Sequence, residues 1–469
     1  MSDYADLNPT ADDTSPLGAE PPAGSGPVAA DERFTAIDVV RGFALLGILA
    51  MNIPFYGLAI GSKGPSMADS MTGASYWTWL IGYLLLDSKM RSLFAMLFGA
   101  GLVLMSERAE SRGRSPARLF YRRSTILLGI GLLHGYLLWT GDILFHYALS
   151  GMVVYLFRQR SPAALLALGM LTLAIGLAST GAQTGYLRAG EAASRRVEVA
   201  GGSSPTSTAA PDDRLLAEGA AEFRKGFEPT AAEVEKKRQT FGEGSFRTVF
   251  RARARETFFV EFFLFPIFLA WDTSSRMLIG MALMKLGYVT GARSRSSYVW
   301  LTALGYGIGL PVVGAAIYGM VAANFGAIAS LEGMAVNEAA SILVALGHLG
   351  ALMLVIKAGA MTWLTSRLAA VGRMALTNYL SHSIICTTLF YGYGFGLYGR
   401  LSRAELMLVV VSIWAFQLWI SPIWLRRFRF GPFEWVWRSL TYGRAQPFRA
   451  GRPGGDRASQ DAGRPALVE

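Results

Sequence analysis

An all-α integral membrane protein is the fold class this sequence predicts, and three observations carry it. Of 469 residues, 52% are hydrophobic and 16% charged. Apolar runs of about 20 residues recur along the chain, the length a helix needs to cross the hydrocarbon core. The basic residues behind the net charge of +11 crowd beside those runs, which fits the charge bias of membrane loops and argues against a nucleic-acid partner.

Residues 1–32 combine Pro, Ala, Ser and acidic side chains without Lys or Arg, so they read as a disordered cytoplasmic tail and lack the basic start of a secretory leader. A first bundle half follows over 33–180, with spans at 38–60, 77–105, 124–140, 142–158 and 162–180. Residues 181–256 read as one long extracytoplasmic loop, flexible from Ala200 to Asp213 and of helix-forming composition from Arg214 to Lys237. The second half, 257–430, carries spans at 257–288, 298–322, 337–360, 372–396 and 405–425. A cytoplasmic interfacial helix with aromatic anchors is expected over 431–445, and a disordered basic tail over 446–469.

About ten transmembrane helices with both termini cytoplasmic place every basic cluster on the inner side: Arg108 to Arg123, Arg158 with Arg160, Arg293 with Arg295, Arg367 with Arg373, and Arg426 to Arg429. Two spans look interrupted by charge, at Asp87 to Arg91 and at Asp272 to Arg276; each reads either as a broken helix or as one long tilted helix. The single cysteine, Cys386, excludes an intramolecular disulfide framework, and no His or Cys spacing suggests a metal site.

Ionisable residues inside apolar runs are the candidates for chemistry, because a membrane interior makes them expensive. His134, Asp142 and His146 share one such stretch, with Gly131 and Gly135 around His134 allowing close helix approach. Asp142 follows the Gly141 turn and suits either a helix N-cap or a carboxylate that orients an imidazole. Sequence leaves open which histidine would act as base. Asp38 and Arg41 are three apart on one helix face and can pair, and Asn52 lies further along nearly the same face. Arg122 and Arg123 stand at the cytoplasmic mouth of the third span, where they serve as membrane anchors or as a phosphate-holding pair.

Several stretches together resemble the YeiB-like membrane proteins, a family defined by a domain of unknown function. They are Asp38 to Asn52 (DVVRGFALLGILAMN), Leu93 to Gly99, Gly141 to Leu144 (GDIL), Gly372 to Leu380 (GRMALTNYL) and Phe430 to Arg438. Where such proteins commonly read Gln-Ser after Asn-Tyr-Leu, this chain has Ser381-His382-Ser383. The family is distantly similar to the transmembrane acyltransferases, which pass an acyl group from a cytoplasmic donor to an acceptor. Many of those relatives carry a histidine near the end of the first span, where this chain has Asn52.

The resemblance implies an acyltransferase of the inner or plasma membrane that uses an acyl-coenzyme A donor and a small-molecule or glycan acceptor. Arg41, Arg122 and Arg123 would hold the donor, with Asp38, Asn52 and Asn378 as further binding residues. His134 or His146, oriented by Asp142, would take the acceptor's proton. A proton-coupled transporter is the alternative, since buried Asp and His with broken helices suit it too.

Overall fold

The computed structural model describes residues 30–59, 73–111, 113, 115–201, 208 and 210–449. The tails expected over 1–32 and 446–469 thus lie mostly outside the described residues. Among those described there is no strand, only an isolated bridge between Phe428 and Arg449. Seven helical segments are long and apolar enough to cross a membrane: Thr35–Gly57, Gly73–Glu110, Pro162–Val199, Phe246–Lys285, Arg295–Ala322, Ala327–Lys357 and Arg403–Arg427. The chain is therefore a multi-pass helical membrane protein.

Ten expected spans meet seven such segments for local reasons. Helix α1 (Ala30–Gly57) leads to α2 (Gly73–Leu85) and α3 (Lys89–Glu110), which form one span broken by Ser88 in the left-handed region at φ 63°. Helix α4 (Pro116–Leu137) carries Arg118, Arg122 and Arg123 in its first half, and α5 (Leu144–Val154) with a short 3₁₀ extension to Phe157 is too short. After α6 (Pro162–Val199), the region expected as a loop folds into α7 (Pro211–Lys225), α8 (Ala231–Gly242) and α9 (Phe246–Phe259).

A π-helical segment, Val260–Leu269, follows and runs straight into α10 (Ala270–Lys285). Asp272 to Arg276 sit inside regular helix, in keeping with the reading of this stretch as one long helix rather than as a break at the charges. The irregularity lies earlier, around Pro266, whose missing N–H disrupts the i to i−4 ladder. Helices α11 (Arg295–Ala322) and α12 (Ala327–Lys357) follow. The span expected over 372–396 is split at Met374 between α13 (Thr362–Arg373) and α14 (Ala375–Phe390). Helices α15 (Arg403–Arg427) and α16 (Pro432–Tyr442) end the bundle.

Helix crossings are set by reciprocal glycines, which bring backbones together where no hydrophobic force separates helix from lipid. A Cβ on Gly42 would lie 2.0 Å from the Leu368 carbonyl, and one on Gly372 equally close to that of Asp38, locking α1 to α13. Gly99 and Gly280 do the same for α3 and α10, against Met277 and Met96.

Candidate functional site

Helix α4 ends at the site, and α9 holds that end in place. Buried Arg253 donates to the carbonyls of Tyr136 (3.1 Å) and Leu138 (2.8 Å), and Thr257 donates to that of Gly135 (3.0 Å). These donors satisfy carbonyls that a helix C-terminus leaves open, and the guanidinium complements the negative end of its dipole. The turn that follows is clamped from α14: the Tyr379 hydroxyl donates to the Gly141 carbonyl (3.4 Å) and accepts from the Ile143 amide (3.2 Å). Two of the stretches that carry the family resemblance, around Gly141 and Tyr379, therefore meet in space.

Asp142 makes contacts in two directions. One carboxylate oxygen accepts from the Phe145 amide (2.6 Å) and starts α5, while the other lies 2.8 Å from His134 Nδ1. His134 Nε2 is 2.7 Å from Ser383 Oγ, which is 2.6 Å from the Tyr56 hydroxyl. With Nδ1 donating to the carboxylate, Nε2 of the neutral ring accepts from Ser383. The result is a four-member hydrogen-bond chain, Asp142–His134–Ser383–Tyr56, buried throughout.

His146 is placed differently. Its ring stacks on Phe265 of the π-helical segment (centroids 4.9 Å apart, 7° between planes), and its Nε2 has no hydrogen-bond partner among the described residues. Both oxygens of Glu261, on the same segment and packed against Gly135, also lack one. Segments of this kind often occur at functional sites, because the extra residue per turn re-aims side chains.

His146 and Asp142 line a cavity of about 610 Å³ among α1, α3, α5, α6, α10 and α12, roofed by α7 to α9. Its polar floor is a charge network. Arg91 pairs with Asp272 and with both oxygens of Glu338 (2.9 and 2.8 Å), and Arg276 pairs with Asp272 and Glu338 (2.7 Å). Ser92 and Ser341 accept further hydrogen bonds from Arg276, which is fully buried. Trp139 forms part of the wall and stacks on Tyr56 (4.1 Å), so the inner members of the hydrogen-bond chain lie behind it.

Of the residues singled out from sequence, the structure brings Asn52, Asp142 and His146 to this cavity and joins His134 to Asp142. The others do not line it. Asp38 and Arg41 pair with each other at 2.6 Å near the start of α1. Arg123 lies 4.0 Å above the Trp437 ring of α16, and Arg122 packs against Gly443 at that helix's end. Asn378 joins helices, donating to the Val371 carbonyl and Ser421 Oγ (both 3.2 Å). His382, the departure from the family pattern, bonds Gln417 Oε1 (2.8 Å). Sequence reasoning missed Tyr56, Ser383, Glu261 and Glu338. Ser383 is 249 positions from its partner His134, so no spacing links them. The one available signal was a carboxylate isolated in an apolar run, which Glu261 and Glu338 both are.

Comparison with known proteins gives a consistent picture. Residues 283–444 match the family described as "Protein of unknown function (DUF418)". The chain is 31% identical over 444 residues to "Uncharacterized protein YxaH" of Bacillus subtilis (strain 168), covering 90% of this chain and 97% of that protein. It is 33% identical over 435 residues to "Uncharacterized protein YeiB" of Escherichia coli (strain K12), covering 89% and 98%. An "Uncharacterized 39.9 kDa protein in amylase 3'region" of Bacillus acidopullulyticus is 26% identical over 437 residues, covering 90% and 97%.

Proposed function

The chain belongs to the YeiB-like DUF418 family, and from that premise we propose that it is a membrane acyltransferase whose acting base is His146. The observation that supports this reading best is the unpartnered Nε2 of His146 beside a cavity large enough for a ligand. His134 has both ring nitrogens engaged, so it acts as a positioning residue for Asp142. Asp142 in turn begins the helix that carries His146.

In the proposed reaction an acceptor hydroxyl or amine in the cavity attacks the thioester carbonyl of an acyl-coenzyme A-type donor. The new acyl bond forms as the carbon–sulfur bond breaks. His146 Nε2 takes the acceptor's proton and returns it to the departing thiolate. The donor's anionic part would meet the guanidinium groups of Arg41, Arg122 and Arg123. This arrangement goes with ten crossings, cytoplasmic termini and an inner or plasma membrane location. Asp38, Asn52 and Asn378 would support binding, Asn52 by direct contact in the cavity and Asn378 by fixing α14.

A second reading, proton-coupled transport, is favoured by the Asp142–His134–Ser383–Tyr56 chain, which leads from the cavity wall into the bundle and could relay protons. Proteoliposomes given radiolabelled acetyl-coenzyme A and a membrane extract separate the two. Transfer of label to an extract component, lost on His146→Ala and kept on Ser383→Ala, supports the acyltransferase. Proton flux lost on Ser383→Ala, without any transfer, supports the transporter.

A further inference from the structure

We infer that the cavity takes a bilayer-borne amphiphile with an alkyl chain, and that this ligand enters sideways between α2 and α15 past Phe55 and Met51. The inference deepens the acyltransferase reading by naming the acceptor class, and rests on that reading only for the chemistry at the head group.

A second cavity of about 70 Å³ lies between α1, α2 and α15. It shares two wall residues with the large one, Met51 and Phe55, so these side chains stand between the two spaces. Phe55 is 41% exposed, and an aromatic or thioether side chain can change rotamer without moving the backbone. The helix behind them is locally relaxed, since Pro54 offers no N–H to the Ala50 carbonyl. The crevice opens on a surface that suits hydrocarbon. Thr78, Trp79, Gly82 and Tyr83 of α2 and Arg403 and Met407 of α15 line it together with Asp87, and the same two helices carry exposed Trp77, Ile81, Leu408 and Val411.

The interior matches the same class of ligand. One wall is apolar, built from Ile48, Leu173, Leu177, Leu264 and Phe268, while the floor holds Arg91, Asp272 and Glu338 with His146 and Asp142 beside them. An alkyl chain against the wall leaves a hydroxyl head among the polar groups, where His146 Nε2 needs a partner.

A long-chain primary alcohol bearing a diazirine on its chain tests this in liposomes that hold the full protein. After illumination, labelled peptides are mapped by mass spectrometry. Label is expected on cavity segment 139–147 and on cavity-lining Leu264, Phe268 and Asp272, as well as on lipid-facing Phe258, Phe259, Phe262 and Phe263, which supply an internal control. Phe55→Trp, and separately Met51→Trp, should abolish the cavity label and leave the control label unchanged. Label confined to the lipid-facing positions, or cavity label equal in wild type and both variants, would overturn the inference. Cavity labelling without acyl transfer would leave it standing while the acyltransferase reading fell.

Discussion

At Gly131 a Cβ would lie 2.4 Å from the Phe145 amide nitrogen and 2.8 Å from Asp142 Oδ2. The absence of a side chain there lets α4 and α5 come close enough for His134 to reach Asp142. Gly131→Ala should therefore lower the melting temperature in detergent, by a shift equivalent to about 1–3 kcal/mol for overpacking. Gly129, two residues earlier, has nothing within 4 Å of its would-be Cβ. Gly129→Ala should be neutral or stabilising, by about 0.5–1 kcal/mol from helix propensity. Equal effects at the two positions would contradict the close approach. The sequence made this contact legible through the spacing of Gly131 and Gly135 around His134. It could not tell the two histidines apart, because the difference lies in Ser383 and Phe265, which reach them from distant parts of the chain.

Among the elements, the α3–α10–α12 contact depends on paired charge. Arg276 is fully buried between Asp272 and Glu338, so Arg276→Leu leaves those carboxylates with less compensation and should destabilise the protein by about 3–5 kcal/mol in denaturant titration. Helix α16 offers a pH test. Burial holds the Glu434 carboxyl above its ordinary range, against the lowering effect of hydrogen bonds from Thr377. The folded state therefore holds this proton more tightly than the unfolded chain does. Its contribution is full below the ordinary carboxyl value and is lost as pH rises through the raised one. Glu434→Gln removes that loss, so its melting temperature relative to wild type should climb with pH; a constant offset would contradict the assignment. Hydropathy made the long helices and the break near Asp87 readable. The π-helical segment was not, because Phe-rich sequence around Pro266 looks the same whether the turn holds one more residue or not. Charge at Asp272 to Arg276 left both a break and a continuous helix open, because the sequence does not show that those residues find partners on α3 and α12 and need no break in their own helix.

For the whole molecule, the proposal of ten crossings with inner termini makes a direct prediction. In a Cys386→Ser background, Glu218→Cys should react with a membrane-impermeant maleimide in intact cells. Arg160→Cys and Ser296→Cys should react only after permeabilisation. Labelling of all three, or of none, before permeabilisation would refute that arrangement. The fold's larger consequence is that the cavity joins distant parts of the chain, with Asp142 and His146 lining the same space as Asp272 and Glu338. In the proposed reaction His146, and not His134, exchanges the proton. The most direct measurement is acyl transfer from radiolabelled acetyl-coenzyme A by reconstituted His146→Ala and His134→Ala, each checked for folding by melting temperature. Loss of a general base predicts a fall of about 10²–10⁴ for His146→Ala and a smaller one for His134→Ala. Undiminished transfer by His146→Ala, with loss confined to His134→Ala, would contradict the account.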